Sequence, residues 1–232
     1  MISELLTAQV LIGVATSGIR LATPYLYASI GESIGQRSGV LNLGVEGQML
    51  LGAFAGFYVT FVTENAWLGL LAAIIVGALM GLLMAVISVT LRAEQGISGI
   101  GIYLFGLGLS DLLFQVMLGT VETVVGFRPA RIPFLSSIPV AGKIFFQHNV
   151  LVYGAFLLVP LAWFILNKTT LGLKIRAVGE NPEAADSLGV SVVRVRYFTL
   201  ILGGTLSGIA GASLSIALLN VFQQNLTSGL GF

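Results

Sequence analysis

Three groups of polar residues stand out in an otherwise apolar chain. The first is Asn42, Glu46 and Gln48, set among glycines. Two amides and a carboxylate in one short stretch offer the donors and acceptors a hydroxyl-rich solute needs. The same residues suit a packed network between helices, and their spacing alone does not separate the two roles. The second group runs Asn181, Pro182, Glu183, Ala184, Ala185, Asp186, Ser187, Leu188, Gly189. Asn caps a helix, Pro fits its first position, Glu183 favours the positive end of its dipole, and Gly189 is placed to stop it. This predicts a two-turn helix with a small-residue surface and acids near its start. Such a helix can dock into a groove on another protein or serve as a solvated connector. The third group is the charges within or near apolar stretches: Arg20, Glu46 and Asp111. A charge at the centre of a bilayer costs several kcal/mol, so each must face protein, water or the interface.

Most enzyme chemistry lacks its residues here. Lys168-Thr169 has no preceding glycine-rich run, and Gly99 and Gly101 do not continue into a dinucleotide fingerprint. There is no His-Glu-x-x-His and no Gly-x-Ser-x-Gly, and Ser110-Asp111 has no accompanying base. The chain has no cysteine and one histidine, so thiolate sites and multi-histidine metal sites are out of reach. His148, between Gln147 and Asn149, reads as a solvated loop residue. The chain is therefore expected to be no enzyme. Uphill transport through it would draw on an ion gradient or on a separate ATPase subunit.

The elements that must position these residues are membrane helices. Of 232 residues, 56% are hydrophobic and 9% charged, against about 25% charged in soluble domains. Mean hydropathy is +0.98. A net charge of +1 gives no electrostatic case for nucleic acid. Roughly 20 apolar residues cross a bilayer, which predicts six spans: 5–30, 41–62, 67–91, 97–118, 149–166 and 197–221. Pro24 predicts a kink in the first. Glu4 and the long apolar run after it argue against a cleavable signal. Segment 167–196 carries Lys168, Lys174, Arg176, Arg194 and Arg196, five of the eleven basic residues, so it is expected in the cytoplasm. Alternation puts 31–40 and 92–96 on that side, and 63–66, 119–148 and the N-terminus outside. The outer loop still holds Arg128, Arg131 and Lys143. Gly52/Gly56, Gly77/Gly81 and Gly204/Gly208 allow close helix approach, which reads as tight packing before a dimer seam. The glycines of 42–48 would allow a broken helix lining a cavity. The chain is read as one domain, 1–232.

With these residues on the page, the chain resembles a known family. The run 172–189, with Glu183-Ala184-Ala185 and then Gly189, is similar to the coupling segment of ABC importer permeases. The run Gly31-Glu32-Ser33-Ile34-Gly35-Gln36-Arg37-Ser38-Gly39-Val40-Leu41-Asn42-Leu43-Gly44-Val45-Glu46-Gly47 resembles the early signature of the branched-chain amino acid, ribose and nucleoside permease group. Its Arg-Ser-Gly-Val-Leu-Asn-Leu-Gly-Val-Glu-Gly form looks nearest to nucleoside or simple-sugar permeases, and 225–232 fits that branch. The resemblance covers essentially the whole chain. It implies an all-α polytopic transmembrane bundle of the ABC importer permease type, in the cell (cytoplasmic) membrane, with a cytoplasmic coupling helix. It implies import of nucleosides by alternating access, with branched-chain amino acids or simple sugars as alternatives. An ion-coupled secondary carrier is the alternative of another class, and it would usually show an internal repeat, which is not found here. Implied partners are ABC ATPase subunits, a second and related permease subunit, a lipoprotein-type solute-binding protein and membrane lipid. ATP and Mg would be held by the ATPase, with no cofactor on this chain. Coupling would fall to Asn181, Pro182, Glu183, Ala184, Ala185, Asp186 and Gly189, and the solute path to Asn42, Glu46 and Gln48. Family members continue into further helices beyond the position of Phe232, so C-terminal helices are expected to be missing here.

Overall fold

The computed structural model describes residues 8–131 and 141–231. Expectations resting on residues 1–7 and 132–140, and on Phe232, lie outside that set. Among the described residues the regular structure is helical apart from two two-residue strands. Its long helices are α1 (Ala8–Arg37), α2 (Val45–Thr63), α3 (Ala66–Ala85), α4 (Gln95–Met117), α6 (Val150–Lys168) and α9 (Val192–Ala212). A π-helical turn extends α3 over Val86–Thr90, and another extends α9 over Ser213–Leu218. Between them lie a one-turn α5 (Ala141–Phe145), α7 (Thr170–Glu180) and α8 (Pro182–Ser187). Strands β1 (Ala130–Arg131) and β2 (Gln147–His148) pair antiparallel in the segment between α4 and α6.

Five of these helices are long and apolar enough to cross a membrane: Val45–Thr63, Ala66–Thr90, Gln95–Met117, Val150–Lys168 and Val192–Leu218. Helix α1 is long enough, about 45 Å at 1.5 Å per residue, but it carries more polar residues. Burial sorts the five. The apolar stretches of α9 and α2 are 78% and 72% buried within the chain, and that of α6 is 22% buried. So α9 and α2 form the centre of the bundle, with α1 and α3 packed on α9 and with α4 on the far side of α2. α4 and α6 present outward residues such as Leu104 and Leu157, 57% and 69% exposed, as lipid-facing helices do.

Backbone proximity holds that centre together. A Cβ on Gly52 would meet Gly208 Cα at 2.6 Å, and Gly77 and Gly81 meet α9 at Gly204 and Leu200. The three small-residue pairs thus line one intramolecular seam among α2, α3 and α9. In lipid, association gains little from hydrophobic transfer, so dispersion between close backbones carries it.

Several expected boundaries shift for local reasons. α1 does not stop at residue 30 but runs through Arg37, because no breaker precedes Ser38 and Gly39, whose φ is 80°. It passes through Pro24 as one helix. The second span starts at Val45 rather than 41, since Asn42 Oδ1 accepts the Gly44 N–H at 3.0 Å and holds a turn there. Asn149 is the cap of α6, its side chain accepting the Val152 N–H at 3.1 Å. Segment 167–196 is mostly helical. Thr169 caps α7, and α9 already starts at Val192. His148 is not solvated but 1% exposed. The β1–β2 pair and Tyr153 enclose it. Its Nε2 lies 2.7 Å from Ile144 O, and its backbone N–H donates to the Tyr153 hydroxyl at 3.1 Å.

Candidate functional site

Asn42, Glu46 and Gln48 lie together, and all three are buried. Asn42 Nδ2 donates to Gln48 Oε1 at 3.2 Å. Gln48 Nε2 is buried with no hydrogen-bond partner among the described residues. Glu46 sits in the first turn of α2, beside its positive dipole end, and is 0% exposed. Its carboxylate faces a segment far along the chain. Oε1 accepts from Thr227 Oγ1 at 2.5 Å and from the Gly229 N–H at 2.7 Å, and Oε2 accepts from the Gly231 N–H at 2.5 Å. Ser228 and Gly229 take φ values of 46° and 91°, a turn that brings the alternate N–H groups of Gly229 and Gly231 onto one anion. Three donors on one carboxylate explain how α2 tolerates an acid inside the bundle.

The segment that supplies those donors runs back down α2. Phe222 packs edge-on against Phe54 with ring centroids 5.3 Å apart and lies 6.3 Å from the Phe57 ring. Glu46 is eleven residues before Phe57, about 16 Å along the helix. Residues 222–231 therefore descend from the level of Phe57 to the level of Glu46. Irregular backbone at this depth is tolerated where it is buried in protein or lines a cavity.

Such a cavity adjoins it. A pocket of about 300 Å³ is lined by Tyr25, Ser29, Glu32, Ser33 and Gln36 on α1, with Ala28, Val45, Leu230 and Gly231. Glu32 Oε1 accepts from the Asn42 N–H and from Gln36 Nε2, both at 3.0 Å. Asn42 and Glu46 thus stand behind the wall of this pocket without lining it. Glu32, Ser33 and Gln36 fell inside the family-like run 31–47 and Tyr25 and Ser29 before it, and none was read as a site residue, although their i, i+4, i+7, i+8, i+11 spacing puts all five on one helical face. Thr227, Gly229 and Gly231 were visible only as part of a familiar stretch.

At the basic end of the bundle, α8 is built as its capping residues predict. Asn181 Oδ1 accepts the Ala184 N–H at 3.0 Å, Pro182 opens the helix, and Gly189 ends it with φ 81°. Ala185 is buried, while Glu183, Ala184 and Asp186 are exposed and Leu188 is 84% exposed. Pro182, Glu183 and Asp186 line a cleft of about 650 Å³ with Arg92, Gln95 and Arg196. The acids of α8 therefore share their cleft with two arginines of this chain. Across it, Glu94 caps α4 and accepts the Ile97 and Gly96 N–H groups at 2.6 and 2.9 Å, which hold its carboxyl below the usual carboxylate range. Arg196 Nε donates to Ser38 O at 3.3 Å, tying α9 to the end of α1. Of the other in-span charges, Arg20 is exposed beside Ser17 and Leu218, and Asp111 Oδ1 is buried with no partner among the described residues.

The chain is a multi-pass helical bundle with an irregular segment held on a buried carboxylate and a capped helix at its basic end. The family described as branched-chain amino acid transport system, permease component, matches residues 14–232, and the chain belongs to it. It is a multi-pass protein of the cell membrane. The chain is 41% identical over 225 residues to the putative glucose ABC transporter permease protein TsgC13 of Haloferax volcanii, covering 95% of this chain and 68% of that one. It is 36% identical to the guanosine ABC transporter permease protein NupQ of Bacillus subtilis, covering 97% and 73%. It is 37% identical to the nucleoside ABC transporter permease protein NupC of Lactococcus lactis, covering 91% and 69%. No solved structure matches the chain.

Proposed function

We propose that this chain is the permease subunit of an ABC importer for nucleosides, working with separate ATPase subunits, a second permease subunit and a solute-binding protein. The observation that carries the reading is similarity over nearly the whole chain to two permeases named for guanosine and nucleosides. The protein named for glucose favours a sugar as the second reading. In this proposal α8 docks into a groove on the ATPase. Closure of the ATPase dimer moves α8, and α7 and α9 on either side of it carry that motion into the bundle. Asn42, Glu46 and Gln48 serve the solute path from behind its wall, Glu46 through the 227–231 segment it holds and Asn42 through its bond to Gln48.

The test is uptake of labelled guanosine and of labelled glucose in cells with and without the gene, all partners present. Gene-dependent guanosine uptake that stops when ATP hydrolysis is blocked, with the ion gradient held, is the expected result. Uptake of glucose alone would replace the solute and leave the ATP-driven reading standing. Uptake that survives the ATPase block would reject that reading. For docking, Glu183→Arg with Asp186→Arg is expected to lower uptake more than tenfold while the permease remains in the membrane. Normal uptake and normal ATPase assembly would remove α8 from the interface.

A further inference from the structure

A polar helix face inside a bilayer needs a reason, and α1 has one. Tyr25, Ser29, Glu32, Ser33 and Gln36 share a face, and Tyr25, Ser29, Ser33 and Gln36 are exposed on the isolated chain. The face starts at Gln36, two residues before Ser38 at the basic end, and reaches Tyr25 about 16 Å further in. Gly47, two residues from the pocket's Val45, packs on Ile102 and Tyr103, seven and eight residues into α4. That is about 10 Å from the start of α4. At such depth hydroxyls, an amide and a carboxylate cannot face hydrocarbon without a large cost. They face water, a solute or protein.

We infer that this pocket is a solute-binding station on the translocation path, with α1 as its polar wall and residues 230–231 as its movable wall. The inference rests on the permease reading above and adds to it a site and a class of solute. The wall chemistry sets the class. Three hydroxyls, a carboxamide and a carboxylate offer both donors and acceptors to a neutral, polyhydroxylated solute. Both recorded bonds to Glu32 fall on Oε1, so Oε2 is the atom placed to take a solute hydroxyl. Tyr25, 47% exposed, supplies a ring face. No cationic side chain is among the lining residues described, so the carboxylate of an amino acid would find no ionic partner. On the other wall, Leu230 donates its N–H to Thr227 O at 2.9 Å and packs against the core, and Glu46 anchors the turn around it. Glu46 is thus a positioning residue, one layer behind the site.

The absence of cysteine makes the test clean. Ser29→Cys and Ser33→Cys each place a single thiol on the polar wall, and Leu104→Cys and Leu157→Cys place one on outward apolar faces. The permease, assembled with its ATPase in the membrane, is treated with a membrane-impermeant cationic methanethiosulfonate. Labelling is read on the permease band with guanosine, with glucose and with neither. The two wall thiols are expected to react at least tenfold faster than the two outward thiols, and the transported solute to slow them at least threefold. Glu32→Gln is expected to raise the KM for uptake about tenfold. Wall thiols as inert as Leu104→Cys would overturn the site, showing that face covered by another subunit or by lipid. So would reactive thiols that no carried solute protects, together with wild-type uptake by Glu32→Gln. Protection by glucose and not guanosine would keep the site and overturn only the nucleoside assignment.

Discussion

Helix α2 is held on its two sides by opposite means. Toward α3 and α9 it meets glycine backbones at close range, with Gly52 against Gly208 and Thr60 against Gly69. At the level of Glu46 it is held by three hydrogen bonds to one carboxylate, next to an open polar pocket. The seam gains from dispersion at short range, so it tolerates no added atoms and little sliding. The carboxylate clamp gains from charge-assisted bonds, which can be made and broken as a unit. One side is suited to stay fixed while the other moves. A transporter that alternates between two openings needs both.

Substitutions that exchange these properties test the contrast. The largest effect is expected from Gly208→Leu, which drives a side chain into the backbone of α3. A loss of at least ~3 kcal/mol is expected, seen as absent folded protein or a collapsed Tm in detergent. A well-folded variant would show the seam to be loose. Glu46→Ala leaves two N–H groups and the buried Thr227 hydroxyl without their acceptor, and about 3 kcal/mol is expected, with 222–231 freed first. Faster amide exchange confined to Gly229 and Gly231 would sharpen the contrast, and uniform loss across α2 would break it. Glu46→Gln keeps one acceptor oxygen and should cost about half as much. Asn181→Ala removes the cap of α8 and is expected to cost about 1 kcal/mol locally, with the seam untouched, read as exchange at Ala184. The smallest effect is electrostatic. The carboxyl of Glu94 titrates below its unfolded value, so its capping contribution is present above the usual carboxylate range and lost as pH falls through the lowered value. Faster exchange at Gly96 and Ile97 on acidification, absent in Glu94→Gln, is the check.

Hydropathy and capping rules reach far in this chain because each is local. A span needs only its own run of apolar residues, which is why five expected spans reappear as helices with boundaries shifted by a few residues. The Asn181–Gly189 helix needs only its own cap residues, and it forms as they predict. The family signature at 31–47 likewise lies in contiguous residues. Composition alone placed this protein in a membrane.

The site was less legible. Glu46 was visible as a costly acid, but its partners lie 181 to 185 residues away, and no local rule connects them. His148 was misread for the same reason, since Tyr153 and the β1–β2 pair that bury it act through space. The polar face of α1 was present in the spacing of Tyr25, Ser29, Glu32, Ser33 and Gln36, but the expected span end at residue 30 divided it between a span and a loop. Sequence by itself determined that the chain crosses a membrane, roughly where, and where its short helix starts and stops, because those depend on neighbours along the chain. Tertiary structure alone decided which glycines meet, which donors satisfy Glu46, and that Asn42 and Glu46 stand behind a pocket rather than in it. Those outcomes are set by packing between distant segments, which local spacing does not encode.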